Sequence, residues 1–323
     1  MQLKLKQENE KMNAPQLKSN QWFNSEPIDK KDLEGNVVLY DFWTYSCVNC
    51  LRTIPYLKDW WAKYKDQGLM IIGIHTPEFE FEKSAVNLKK AINKLGVSWP
   101  VVMDNDYENW QAFANHYWPA KYLANRMGEI VYEHFGEGSY GEIEKKIRDL
   151  LGFQDRNLYK TKPKELMGGV CYPQTPELYL GHGRGKLTYP QEFHPDREYN
   201  YPEVYKIHSD SFALLGNFLV TENYVEALSS VSEIFLNFKG TEVNIVLENE
   251  ENEAPTLEIL LDNKILSPTI RGKDINDKSE ITIKEARMYN LIRSVKPLNG
   301  ILSIRSKDAS FKAYAFTFSG CST

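Results

Sequence analysis

Cysteine is scarce in this chain: four residues in 323 are too few for a disulfide-stapled scaffold, so a close pair is read as chemistry before stabilisation. A basic excess is also missing. Lys+Arg 39 stand against Asp+Glu 44, a formal net charge of -5, and local clusters such as "KSAVNLKKAINK" read as solvated helix faces, so nothing asks for a nucleic-acid partner. No segment approaches the ~18 consecutive apolar residues of a membrane span, and there is no internal repeat. The opening residues carry lysines but no apolar stretch of the signal-peptide kind. The expectation as written is a cytoplasmic protein, with an extracytoplasmic setting as the alternative if an export segment has been removed.

What is present divides in two, as the length allows. Residues 1–21 read as a flexible N-terminal extension and 22–152 as an α/β domain, because strand-like and helix-like stretches alternate there. "VVLYDFW" is a nearly continuous apolar run, as expected of a buried strand. Behind it Cys50, Ile54, Leu57, Trp61 and Tyr64 fall on one helix face, and Gly68 ends that helix. "LMIIGIHT" is a second buried strand, "NDYENWQAFANHY" a later helix, and "AKYLANRMGEIVYEHFG" a hairpin turning at Arg126-Met127-Gly128. Ser139 and Glu142 are spaced as a capping box for a last helix that stops at Gly152. Residues 153–180 read as a linker. From 181 to 323 the pattern changes to period two, with Ile234, Leu236 and Phe238, then Val243, Ile245 and Leu247, then Leu257, Ile259 and Leu261, and finally Tyr314, Phe316 and Phe318. Such alternation between turn signals predicts an all-β sandwich or jelly roll.

The chemistry concentrates in "DFWTYSCVNC", residues 41–50. A thiol at the first turn of a helix meets unpaired backbone N–H groups and the positive end of the helix dipole, both of which favour thiolate. Cys47 sits at that junction as attacking sulfur, and Cys50, one turn on, is placed to resolve the mixed disulfide. A zinc half-site would need two more ligands, and no second C-x-x-C exists. The rival is a thiol peroxidase with Cys47 as peroxidatic sulfur and Cys50 as resolving sulfur. Thr44 fits a peroxiredoxin's threonine, but Tyr40 stands where its proline would be.

These motifs resemble the thioredoxin superfamily. Asp41 matches the buried acid that moves a proton for the second cysteine, Pro55 the proline that kinks the active-site helix, and Pro119 in "YWPAKYL" the proline that follows a cis peptide and lies against the dithiol. "DFWTYSCVNCLRTIPYL", "GIHTPEFEFEK" and "HFGEGSYGEIEKKIRDLL" are similar to the redoxin region of the DipZ family, of the AhpC/TSA and TlpA-like branch. "TPELYLGHGR" and "AYAFTFSG" resemble that family's C-terminal domain, whose fold is like a carbohydrate-binding module. Ala124 and Asn125 depart from the usual Ile-Asp, and Lys121 stands where His is expected. The resemblance implies a thioredoxin-like fold and thiol-disulfide exchange with protein disulfides, with no metal or organic cofactor. It also implies an electron donor, either a CcdA-like membrane domain of the kind that precedes the redoxin in many relatives or a thioredoxin reductase-like protein.

Trp43, Tyr45 and Trp118 are expected to form an apolar rim around the sulfurs, and His75, ending the second strand, to line the substrate groove. The alternatives are core packing for Trp43 and helix capping for His75. Cys171 and Cys321 have no motif around them and read as small buried hydrophobes or as a bridge to one another. Tyr289, Tyr314 and Phe316 offer either a sugar-stacking platform or core aromatics. A third function class therefore stays open, a binding module in which the β domain acts, with carbohydrate as one ligand.

Overall fold

The computed structural model describes residues 12–19, 21–153, 172–249, 254–307 and 310–320. The chain divides into two compact units near residue 163. Among the described residues no helix is long and apolar enough to cross a membrane.

The first unit is built on a six-stranded sheet. Its elements are β1 (Trp22–Phe23), β2 (Val37–Trp43), α1 (Val48–Tyr64), β3 (Leu69–His75), α2 (Ala85–Leu95), β4 (Val101–Met103), α3 (Glu108–Ala112), β5 (Ala120–Ala124), β6 (Ile130–Phe135) and α4 (Tyr140–Leu151). The strand order is β1-β4-β3-β2-β5-β6, with β2, β3 and β4 parallel and the others antiparallel to their neighbours. This is a thioredoxin-like arrangement. Every residue of β2 is buried, as its unbroken apolar run implies for a central strand covered on both faces. Side chains alternate along it: Val38, Tyr40 and Phe42 join the cluster that holds Phe113 and Tyr122. Leu39, Asp41 and Trp43 therefore face the opposite side of the sheet.

Several local readings shift. Residues 12–19 are not a loose extension, because Asn13 bridges to Glu129, and Ala14 and Leu17 are buried in the core beside Tyr40; residues 1–11 lie outside the described residues. In α1 it is Trp60, not Trp61, that is fully buried. Pro55 lies inside α1, where it withholds one backbone donor from the helix. The helix expected through "NDYENWQAFANHY" is only the five residues of α3. Ser139 does not cap α4: it adopts a left-handed φ of 49° and makes no side-chain cap hydrogen bond, although Gly152 does end the helix in the left-handed region.

The described residues of the second unit form strands and no helix, and every ladder between its named strands is antiparallel. Its strands are β7 (Leu178–Tyr179), β8 (Glu198–Tyr201), β9 (Ser211–Val220), β10 (Val225–Ala227), β11 (Glu233–Glu248), β12 (Thr256–Leu261), β13 (Lys264–Ile265), β14 (Glu280–Thr282), β15 (Arg287–Ser306) and β16 (Phe311–Ser319). Strand β7 lies within the stretch read as linker and pairs with β16, so the unit begins before residue 181. Residues 154–171 of that stretch, and the bridge considered between Cys171 and Cys321, fall outside the described residues.

The long strand β11 pairs with β9 through residues 233–237 and with β16 through residues 242–248, with β15 alongside both halves. The apolar positions change from even (Ile234, Leu236, Phe238) to odd (Val243, Ile245, Leu247), and all six are buried in one core. A register irregularity between Gly240 and Glu242 produces that change, since one extra residue turns every later side chain to the other face. Tyr289, Tyr314 and Phe316 are buried, which makes them core aromatics rather than a platform open to sugar.

Candidate active site

Strand β2 leads through residues 44–46 into α1, whose N-cap and first turn carry the dithiol. Cys47 is the N-cap of α1, with extended backbone (φ -78°, ψ 114°), and its Sγ accepts the N–H of Cys50 at 3.3 Å. A sulfur thus takes the place usually filled by a serine or aspartate oxygen, receiving one of the donors that a helix start leaves unpaired. Both thiols are free; Cys47 is half-buried and Cys50 is wholly buried. Burial pushes the Cys50 thiol well above its ordinary value, and the hydrogen bond and charge of Cys47 add to that. The two sulfurs are therefore unequal, one reachable from solvent and one needing a base.

Asp41 supplies a carboxylate on the same sheet face, close enough for its charge to raise the Cys50 thiol. It is 1% exposed and lies 3.1 Å from Nζ of Lys121, itself 1% exposed. The two form a buried ion pair. They are cross-strand partners in the β2–β5 ladder. Burial raises the Asp41 carboxyl and Lys121 opposes that rise. Its partner on the other side, Gly73 of β3, leaves room for indoles: a Cβ there would meet Trp43 Nε1 at 2.9 Å and Trp99 Nε1 at 3.3 Å. Gly73→Ala is expected to destabilise the protein by about 1–3 kcal/mol through overpacking. A urea midpoint indistinguishable from wild type would show that the indoles move aside.

The turn itself, residues 44–46, is fixed from behind by Glu82, which lies in a short 3-10 helix (Glu80–Lys83) and is fully buried. Oε1 accepts the hydroxyl of Thr44, the hydroxyl of Ser46 at 2.6 Å and the Ser46 N–H at 3.3 Å; Oε2 accepts the N–H groups of Glu78 at 2.6 Å and Phe79 at 3.0 Å. Burial raises this carboxyl, and the hydroxyls of Ser46 and Thr44 pull it back. With the Thr44 proton on Glu82, Thr44 Oγ1 accepts from Nε2 of His75, 3.3 Å away. Burial drives His75 down to about 3, so the ring is neutral and its one proton sits on Nε2.

The residues expected at the rim separate. His75 and Trp43 are 0% and 1% exposed and pack edge to face, while Tyr45 stacks on His75 and donates its hydroxyl to Phe81 O at 3.2 Å. These three build the floor beneath the turn and do not line a groove. Trp118 is half-exposed; its indole N–H donates to Thr76 O at 3.0 Å and its ring lies 4.1 Å from that of Trp110. The Trp118-Pro119 peptide is cis. Two further residues belong to the site, Lys121 and Glu82. Lys121 was visible as a departure from the family pattern, but its partner depends on strand register. Glu82 hides in the alternating acidic and aromatic run "EFEFEK" and carries no signal that separates it from Glu78 or Glu80. Among the described residues no group of three or more His, Cys, Asp or Glu side chains is placed to hold a metal.

Two family models match the chain, the AhpC/TSA family over residues 10–133 and the thioredoxin-like C-terminal domain over residues 175–319. Protein DipZ of Mycobacterium tuberculosis is 36% identical over 300 residues, covering 89% of this chain and both of its units. The chain is similar to that DipZ protein over both units. It spans 41% of the length of that DipZ relative. Two relatives of the redoxin unit alone are named thiol-disulfide oxidoreductases: ResA of Halalkalibacterium halodurans, 32% identical over 39% of this chain and 66% of its own, and YkuV of Bacillus subtilis, 26% identical over 40% of this chain and 87% of its own. Those two matches cover 39% and 40% of this chain, against 89% for the DipZ relative.

Proposed function

We propose that the protein is a thiol-disulfide oxidoreductase that exchanges electrons with protein disulfides through Cys47 and Cys50. The observation that carries this reading is the inequality of the two sulfurs: Cys47 is half-buried at a helix start with a backbone N–H on its Sγ, and Cys50 is buried beside the Asp41 carboxylate. In the reducing direction the Cys47 thiolate attacks one sulfur of a substrate disulfide, forming a mixed disulfide and expelling the other sulfur as thiolate. Asp41 takes the proton of Cys50. The Cys50 thiolate then attacks the Cys47 sulfur, closes the Cys47–Cys50 disulfide and releases the second substrate thiolate, so two electrons pass to the substrate. Half-exposed Trp118, joined by a cis peptide to the buried Pro119, supplies the surface on which an extended substrate chain rests, and the electron donor that regenerates the dithiol is CcdA-like or thioredoxin reductase-like. We read the β unit as a jelly-roll module that binds or positions partners.

A peroxidase also begins at a helix-start cysteine, and the AhpC/TSA match extends over this region. The Thr44 hydroxyl that would serve it is buried and already donates to Glu82, and Tyr40 packs into the core against Phe113. The two chemistries part in one experiment, in which the reduced protein is mixed with insulin, as a generic disulfide, or with hydrogen peroxide. Stoichiometric disulfide formation between Cys47 and Cys50 with insulin, and peroxide consumption no faster than that of a free thiol, is the expected result. Rapid peroxide turnover with sulfenic acid at Cys47 would overturn the reading.

A further inference from the structure

Glu82 takes no part in the exchange chemistry above, yet it is the most heavily hydrogen-bonded acid around the site. A fully buried carboxylate is costly unless its lone pairs are filled, and here five donors fill them. Three of the five are backbone N–H groups, which can only donate. Two groups of donors meet on it: Ser46 and Thr44, from the turn leading into Cys47, and Glu78 and Phe79, from the loop that follows β3. The carboxylate is thus the joint between two loops, and Ser46, which it holds by both hydroxyl and N–H, is the residue immediately before the attacking cysteine.

We propose that Glu82 is a positioning residue for Cys47, a buried clamp that fixes the turn at residues 44–46 so that the Cys47 sulfur sits on the unpaired N–H of Cys50 at the start of α1. The proposal rests on the reading of Cys47 as the attacking sulfur. An amide at position 82 would point an N–H₂ at one set of donors and release that loop. The titratable groups that bear on the clamp are Glu78, whose charge raises Glu82, and His75, which reaches it through Thr44. His75 is held neutral and contributes no charge.

The two consequences of removing the carboxylate have opposite signs. Losing a negative charge near the thiol would by itself favour thiolate and move Cys47 reactivity to lower pH. Losing the clamp takes the sulfur off the helix N-terminus and moves reactivity to higher pH. Iodoacetamide alkylation of reduced Cys47 across pH, followed by peptide mass spectrometry on wild type, Glu82→Gln, Glu82→Asp and Ser46→Ala, separates them, with thermal unfolding recorded on the same samples. For Glu82→Gln the expected result is a profile displaced upward by about one pH unit and a rate at neutral pH about tenfold lower, the scale of one lost hydrogen bond to a charged group. Glu82→Asp, which keeps the charge on a shorter stem, should recover part of the displacement, and Ser46→Ala should show a smaller shift of the same sign. An unchanged or downward-shifted profile in folded Glu82→Gln overturns the proposal; if that variant does not fold, an unchanged profile in Ser46→Ala does so. Alkylation requires only the thiol, so this outcome is independent of whether the wild type reduces insulin.

Discussion

Cys50→Ser is expected to stop the reaction halfway, leaving the protein covalently joined to its substrate through Cys47, while Cys47→Ser forms no adduct and loses exchange altogether. The half-buried sulfur is the one a bulky disulfide can reach, and Cys50 is fully enclosed, so an external chain cannot attack or be attacked there. Resolution depends on that enclosed sulfur, because it lies one helical turn from Cys47 with its backbone N–H already on the Cys47 Sγ. Its thiol is raised by burial and by Cys47 itself, so in the proposed exchange it stays protonated until Asp41 accepts the proton. Incubating each variant with insulin, then running non-reducing electrophoresis and intact mass, reads the outcome directly. Sustained turnover by Cys50→Ser at more than a tenth of the wild-type rate would mean that the resolving sulfur lies elsewhere.

Lys121→Met should be the most damaging substitution that touches neither sulfur. Breaking one side of a buried pair leaves an uncompensated charge and costs about 3–5 kcal/mol. The pH dependence has a definite sign. Asp41 is already raised by burial, and Lys121 is what opposes the rise, so its removal moves the carboxyl further up. A carboxyl raised in the folded state gives stability that is present below its unfolded value, about 3.9, and is lost as pH climbs through the folded one. The deficit of Lys121→Met relative to wild type should therefore be smallest near pH 4 to 5 and largest near pH 8, as read by urea unfolding at each pH. The same displacement leaves less of Asp41 ionised at neutral pH. Resolution of the mixed disulfide should then slow by roughly 10²-fold, the lower range for a positioned base, and recover as pH is raised. Equal deficits at both pH values would mean that the two groups are not electrostatically linked.

The fold was legible where one strand or one motif carries its own pattern. The unbroken apolar run of β2 announced a covered central strand, and Pro119 in "YWPAKYL" marked the cis peptide. The change of parity from Phe238 to Val243 reads in the sequence as two strands with a turn at "KGTE" between them, whereas β11 runs through those residues unbroken with an irregularity at Gly240. What stayed hidden depends on register and on loops. Asp41 and Lys121 are 80 positions apart in sequence and meet only because β5 runs antiparallel to β2 with that offset. Trp43 reads as part of a rim and His75 as lining a groove, but both end central strands that are covered on both faces, and both are buried. Ser139 had the spacing of a cap and the wrong backbone angle, which no composition rule reveals.

The strand order of the β unit also bears on how the protein is made. β16, residues 311–319, is the last strand in sequence yet lies between β11 and β10, and β7 pairs with it as well. During synthesis β7 through β15 emerge first; β11 can already pair with β9 and β15, but residues 242–248 of β11 and one edge of β10 wait for β16. The six strands of the first unit pair only with one another and are all made before β16, so the turn that carries Cys47 can be folded while the β16 edges of the second unit are still open.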